Sequence, residues 1–298
     1  MRRLATVASR PFLTYPNAPP AGRRSGRLMD PNIWPKISPI WPSSEFFDDD
    51  VSTLMEEDSV HEVPVRDARA LSERPNIDTH GFELATWPSV LADFESAAEV
   101  ERVYMKETEA LVKQLTNAKL VYPFHHIQID TARDNFGKRG GAVERVHGDY
   151  THLSGPRMLE DLVARGVVPQ ETCRTMRGAI LNVWRNASNV EVQAKPLAVC
   201  DVRSISPDDL GVYYLVEGGE EAARRRMGQN LALYYSPQHR WHFYPRMTRD
   251  EALVFYTYDG RAPSEPRFTF HAAFDPADAD DDAPPRRALI VRCAAFFE

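Results

Sequence analysis

From Lys119 onward, apolar and polar residues alternate in short runs rather than at helical spacing. KLVYPFHHIQID, ERVHGDY, AILNVWR, PLAVCDV, LALYYS, RWHFYP, ALVFYTYD, FTFHAAF and ALIVRCAAFF are rich in Val, Tyr, Phe and Trp, and Pro, Gly, Asp or Asn bounds them. Alternate side chains of a strand point to opposite faces, so these runs predict eight or nine strands. Ahead of them, residues 92–116, beginning ADFESAAEVERVYMKETEALVKQL, carry apolar residues at helical spacing with few breakers, which predicts a helix. Two shorter helices are expected around 156–165 and 169–176, and a short strand in HEVPVRDA. A helical lead-in followed by many short strands predicts a mainly β fold with flanking helices, of the α+β kind. Its core would be a double-stranded β-helix, or jelly roll.

The first sixty residues have a different texture. They are Pro-rich and then acidic, with Glu45, Asp48, Asp49, Asp50, Glu56, Glu57 and Asp58. They predict an arm that wraps the domain or stays mobile, leaving 61–298 as one domain. Arg2, Arg3, Arg10, Arg23, Arg24 and Arg27 precede the first acid, Asp30. An organelle transit segment has this bias, but the apolar face here is poor and a basic tail is the plainer reading. GGEEAARRRMG at 218–228 predicts an exposed loop or short helix.

Composition narrows the function classes. Hydrophobic residues are 43% of 298, enough for a core, and 23 prolines favour strands and turns over a helix bundle. A net charge of −7 implies no large basic face, so nucleic acid is not an expected partner. No apolar run approaches the roughly 20 residues that cross a bilayer, so no membrane association is expected. Cys173, Cys200 and Cys293 are odd in number and far apart, which fits neither a disulfide framework nor a zinc cluster. A reducing, cytoplasmic setting is expected.

Within VERVHGDYTHL, His147 and Asp149 stand two apart and would share one side of a strand. Two imidazoles and a carboxylate suit non-haem Fe(II) and leave positions open for a co-substrate and dioxygen. A structural hydrogen-bonded pair is the plainer alternative. A third ligand must come from a distant strand, and His125, His126, His152, His239, His242 and His271 are the candidates. His271 is favoured because it lies near the C-terminus, where the closing strands of a jelly roll fall. It also precedes PPRRALIVR, which opens with Arg286 and Arg287. A planar guanidinium can hold the distal carboxylate of a dicarboxylate such as 2-oxoglutarate by two parallel hydrogen bonds. Alternation lets only one of the two arginines face inward, and Arg292 is the next candidate. Both could instead answer the acids Asp278, Asp280, Asp281 and Asp282 in solvent. Arg185, which ends AILNVWR, either pairs with Asp201 or faces an anionic substrate or co-substrate. Trp184, Trp241, Tyr234 and Tyr150 are candidates to line an apolar substrate pocket.

Eight stretches carry a family resemblance, in preserved order between about residues 61 and 297. They are VRDAR (65–69), IDTHGFEL (77–84), RVHGDYT (145–151), LNVWR (181–185), PLAVCDVRS (196–204), YYSPQHRWHFYPRMTRDEALVF (234–255), HAAFDP (271–276) and PPRRALIVR (284–292). Through them the chain resembles the AsaB-like, or CmcJ/NvfI-like, hydroxylases and desaturases of fungal and bacterial secondary metabolism. The resemblance implies a jelly-roll dioxygenase fold that oxidises a small organic metabolite with Fe(II), 2-oxoglutarate and dioxygen. It implies metal ligands at His147, Asp149 and His271 and a co-substrate anchor at Arg286, which occupies the arginine position of the closing motif, with Arg185 as a further contact. Three departures stand out. HGDYT replaces the commoner HVDYT, NVWRN replaces NVWRP, and PRRALIVR replaces PRESIEVR, so that Ala288 stands where relatives carry a serine. These changes keep a second reading open, a non-catalytic small-molecule binding or accessory protein of the same fold. Monomer and homodimer are both compatible with the sequence.

Overall fold

A computed structural model of the chain describes residues 7–9, 12–16, 58–132, 142–216, 227–261, 268–276, 280 and 282–298. Most of the basic N-terminal stretch, the acidic run before Asp58 and most of GGEEAARRRMG lie outside the described residues.

The alternating runs form strands in two facing sheets and a small third one. In chain order these are β1 (Val7–Ser9), β2 (Phe12–Pro16), β3 (Asp58–Glu62), β4 (Val65–Asp67), β5 (Phe82–Thr86), β6 (Leu120–Asp130), β7 (His147–Gly148), β8 (Arg177–Asn186), β9 (Leu197–Cys200), β10 (Leu210–Val216), β11 (Met227–Leu233), β12 (Trp241–Phe243), β13 (Glu251–Asp259), β14 (His271–Ala273) and β15 (Arg287–Phe297). One facing sheet has the order β5-β13-β8-β15-β6 and the other β1-β4-β12-β9-β14-β7-β11-β10, and β2 and β3 pair in the small third one. Buried side chains of both sheets interleave: Ile180, Ala294 and Phe296 pack with Ala198, Leu231 and Phe270, and Trp184, Phe255 and Ala288 with Val199. Two sheets closed over a shared core are the jelly roll that the strand pattern predicts.

The sheet centred on β8 and β15 is covered on both faces. Its outer face, with Leu181, Val183, Leu289, Val291 and Cys293, packs on the helical segment. That segment is not the single helix expected over 92–116. It begins at α1 (Ala97–Glu99), where the Ser96 hydroxyl accepts from the Glu99 amide. It passes through a π-helical turn over Val100–Tyr104 and continues as α2 (Met105–Thr116). The turn points Tyr104 into the core, while Asn117 ends the helix in the left-handed region (φ 58°). A separate short helix, Ser154–Ala164, and a shorter one, Gln170–Thr175, fall where the sequence places them.

Three strands are shorter than the alternation suggests. HEVPVRDA splits into β3 and β4 around Pro64, which has no amide to give a ladder. ERVHGDY retains only His147–Gly148, and FTFHAAF only His271–Ala273, as paired strand. The described part of the arm lies against the domain. β1 pairs with β4 and β2 with β3, and the Tyr15 hydroxyl accepts from the Trp241 indole at 2.7 Å. No helix among the described residues is long and apolar enough to cross a membrane.

Candidate metal and co-substrate site

β7 and β14 are neighbours, and His147 and His271 are direct cross-strand partners. Their rings lie 4.3 Å apart. Asp149 follows one residue after β7 and returns its side chain to the same side. Ligand atoms of His147, Asp149 and His271 all lie within 4.8 Å of one another. Gly148, between them, lies where the chain crosses closely packed neighbours. A Cβ there would stand 3.2 Å from Leu231 Cβ and 3.3 Å from the Phe270 ring. The glycine that distinguishes HGDYT thus answers a tight contact on the far side of the strand.

The donor set has the protonation a divalent cation needs. His147 Nδ1 lies 2.8 Å from the Arg145 carbonyl and His271 Nδ1 3.1 Å from the Thr269 carbonyl. A carbonyl only accepts, so each Nδ1 carries the proton and each Nε2 keeps its lone pair. Burial, and then His147, push His271 down to about 4, so its imidazole is neutral near pH 7. Burial opposes charge on Asp149, but Arg292, His271 and His147 outweigh it and, with the Asn182 amide, hold the carboxyl at about 2. Two imidazoles, each held through Nδ1 by a carbonyl, and a carboxylate fit Fe(II).

Asn182 is the residue that sequence reasoning missed. Its amide donates to Asp149 Oδ2 at 2.7 Å. The available signal was a lone asparagine inside the apolar run AILNVWR, two positions from Trp184 and so on the same face.

The arginines separate cleanly. Arg286 is buried with its guanidinium carbon 5.7 Å from the Trp184 ring, and it donates to the Lys195 carbonyl. Its Nε and the Trp184 indole nitrogen have no hydrogen-bond partner among the described residues. Burial lowers Arg286 to about 10. Two buried donors awaiting an acceptor fit an anionic co-substrate such as 2-oxoglutarate. Trp184 stands two residues along β8 from Asn182, roughly 7 Å by strand spacing, so this anionic subsite adjoins Asp149. Ala288 is buried in the same cluster and offers no hydroxyl there. Arg287 faces out, half-exposed, and pairs with Glu95 at 2.9 Å, while Asp278 and Asp281 lie outside the described residues. Arg292 lies inside, with Nη2 3.6 Å from Asp149 Oδ2.

Arg185 is not part of this site. It is fully buried on the opposite face of β8 and donates to the Tyr104 hydroxyl (2.9 Å) and the carbonyls of Arg249 (3.0 Å) and Trp87 (2.5 Å). It does not meet Asp201, which binds Arg203 (2.8 Å) and Arg240 (3.3 Å). The other histidines also lie elsewhere. His239 pairs with Asp209 at 3.1 Å, His242 packs on Phe82, and His152 packs edge-on to Phe268. His125 and His126 sit on β6. Of the four aromatic candidates, Trp184 flanks Arg286 and Tyr150 flanks Arg292. Trp241 is tied to Tyr15, and Tyr234 is buried beyond the end of β11.

Comparison with known proteins supplies the family. The family described as Oxidoreductase/YMDC permease-like domain matches residues 43–296. The hydroxylase/desaturase CTB9 of Cercospora beticola is 30% identical over 257 residues, which cover 79% of this chain and 76% of that protein. The Fe(II)/2-oxoglutarate-dependent dioxygenase nvfI of Aspergillus novofumigatus is 30% identical over 244 residues, covering 79% and 83%. The solved structure of the iron and alpha-ketoglutarate-dependent endoperoxidase NvfI superposes with a TM-score of 0.69 at 27% identity, over 80% of this chain and 87% of that one. The chain belongs to this family and is an Fe(II)/2-oxoglutarate-dependent oxidoreductase of the hydroxylase/desaturase kind.

Proposed function

We propose that His147, Asp149 and His271 hold the Fe(II) of this oxygenase and that Arg286 holds the far carboxylate of 2-oxoglutarate. One observation carries the reading: three ligand atoms from β7, its flank and β14 converge within 4.8 Å, with each imidazole fixed by a carbonyl on its other nitrogen. Bound there with 2-oxoglutarate and dioxygen, Fe(II) supplies the oxidising power to take hydrogen from an unactivated C–H bond.

The chain's own residues orient and enclose. Arg286 and Trp184 offer donors to the co-substrate carboxylate at the buried end. Ala288, Ile290, Leu197 and Val199 keep water from it. Substrate would approach from the edge strand β6, where Tyr122, Phe124 and Ile127 are half-buried and face the interior. This lining favours a small, largely apolar metabolite held by shape beside the iron. Three convergent ligand atoms support an enzyme over a metal-free binding protein, even with the altered PRRA motif. Residues 61–298 would form the oxygenase domain, against which the described strands β1 and β2 of the N-terminal arm pair. Three cysteines outside any disulfide support a reducing, cytoplasmic setting.

Anaerobic calorimetric titration of the metal-stripped protein with Fe(II) tests the ligand set. The wild type binds one equivalent, and His147→Ala loses binding while keeping its melting temperature. Equal Fe(II) affinity in the two proteins would remove His147 from the metal.

A further inference from the structure

The two oxygens of the Asp149 carboxylate have different surroundings. Oδ1 faces Nε2 of His147 at 3.8 Å and Nε2 of His271 at 4.0 Å. Oδ2 accepts the Asn182 amide at 2.7 Å and lies 3.6 Å from Arg292 Nη2. Asn182 and Arg292 come from adjacent strands, β8 and β15, where they are direct cross-strand partners. Asn182 Oδ1 and Arg292 Nε are buried and have no hydrogen-bond partner among the described residues. Arg292 also lies over the Tyr150 ring at 6.0 Å, which holds it in place beside the carboxylate.

We propose that Asn182 and Arg292 are positioning residues, which hold Oδ2 so that Asp149 offers Oδ1 alone to the iron. The inference rests on the ligand assignment above. A carboxylate can bind a metal through one oxygen or two, and the second mode occupies a position that co-substrate or dioxygen needs. An amide donor fixes the rotation of the carboxylate, because its hydrogen bond has a direction. The amide and the neighbouring guanidinium engage the lone pairs of Oδ2, which leaves Oδ1 as the oxygen free to bind. The pair stands on the sheet opposite β7 and β14, so the two sheets must be in register for Asp149 to face the histidines. Arg292 is thereby assigned to the ligand carboxylate and not to the co-substrate. Partners of this kind typically contribute about 10–100-fold to metal affinity.

The test uses Co(II), a visible reporter that takes the same nitrogen and oxygen ligands, on the full-length, metal-stripped protein. Affinity and d–d spectrum are read for wild type, Asn182→Leu, Arg292→Met and Arg292→Lys, with the metal-free melting temperature of each. Asn182→Leu is expected to bind Co(II) about 10–100-fold more weakly. Both Asn182→Leu and Arg292→Met are expected to show an altered spectrum, and Arg292→Lys to return most of the wild-type bands. Asn182→Ser, whose hydroxyl is too short to reach Oδ2, replaces Asn182→Leu if the bulkier change prevents folding. Wild-type spectra and affinity in folded variants overturn the inference and leave the ligand set standing. If wild type itself binds no Co(II) or Fe(II), the ligand assignment fails and this inference fails with it.

Discussion

The two faces of β8 carry buried polar residues of opposite kinds. On the outer face, Arg185 directs its guanidinium at one hydroxyl and two carbonyls, beneath the π-helical turn. It is a cation completed by protein. On the inner face, Asn182 Oδ1, the Trp184 indole nitrogen, the Nε of Arg292 on β15 and the Nε of Arg286 just before it lack hydrogen-bond partners among the described residues. Burying a polar group without a partner costs roughly 1–3 kcal/mol. A fold that leaves several such groups together keeps them for something it does not itself contain. The comparison teaches that burial does not mark a functional arginine. What sets Arg286 apart under the proposed assignment is a cluster of incomplete donors beside the ligand residues, since Arg240 too has an Nε without a partner among the described residues.

The comparison breaks if changes on the two faces have the same consequence. The largest effect is expected at the metal. His271→Ala lowers turnover by several kcal/mol of barrier, about 10³-fold or more, with little loss of melting temperature. Steady-state oxygen consumption checks it. Next is Arg185→Met, which strands three buried acceptors and costs on the order of 3 kcal/mol of stability. Urea unfolding reads that loss, and 2-oxoglutarate affinity stays at the wild-type value. Arg286→Met does the reverse. It weakens 2-oxoglutarate by about 2–3 kcal/mol, roughly 30–150-fold, and leaves the urea midpoint unchanged or higher. Arg286→Lys recovers only part of the affinity, since an ammonium lacks the planar fork.

The last expected effect concerns pH, and it develops only gradually as pH falls. Burial pushes His242, on β12 and separated from His271 by Val199 of β9, down to about 4. The unfolded chain takes up a proton near pH 6.5 and the folded chain only near 4, so between those values the unfolded state binds more protons. Stability contributed by neutral His242 is therefore intact above about 6.5 and falls as pH drops towards 4, by up to about 3 kcal/mol. His242→Leu flattens that part of the profile, as chemical unfolding of the metal-free protein at a series of pH values would show.

Much of this was legible in the residues. Alternation located the strands, and spacing put His147 and Asp149 on one side. The rule that neighbours on a strand face opposite ways divided Arg286 from Arg287. Alternation alone could not tell the inner face of β8 from the outer, because both faces are buried and AILNVWR is apolar throughout. That is why Arg185 was expected at the site and Asn182 was not. The π-helical turn was hidden for a similar reason. Apolar spacing over 92–116 is compatible with a continuous helix, and only the packing of Tyr104 against Arg185 shows the extra residue in the turn. In the sequence Gly148 is only a departure from HVDYT. Its close approach to Leu231 and Phe270 became visible only in three dimensions.

The most direct measurement is an anaerobic 2-oxoglutarate titration of the Fe(II)-loaded protein, followed by the weak visible charge-transfer band of the chelate. Wild type, Arg286→Met and Arg185→Lys are compared. The account predicts a saturable band in wild type and Arg185→Lys, and a midpoint shifted roughly 30–150-fold higher in Arg286→Met. A wild-type midpoint in Arg286→Met, or a matching shift in Arg185→Lys, contradicts it, because the incomplete hydrogen bonding of the inner face would then have no bearing on the co-substrate.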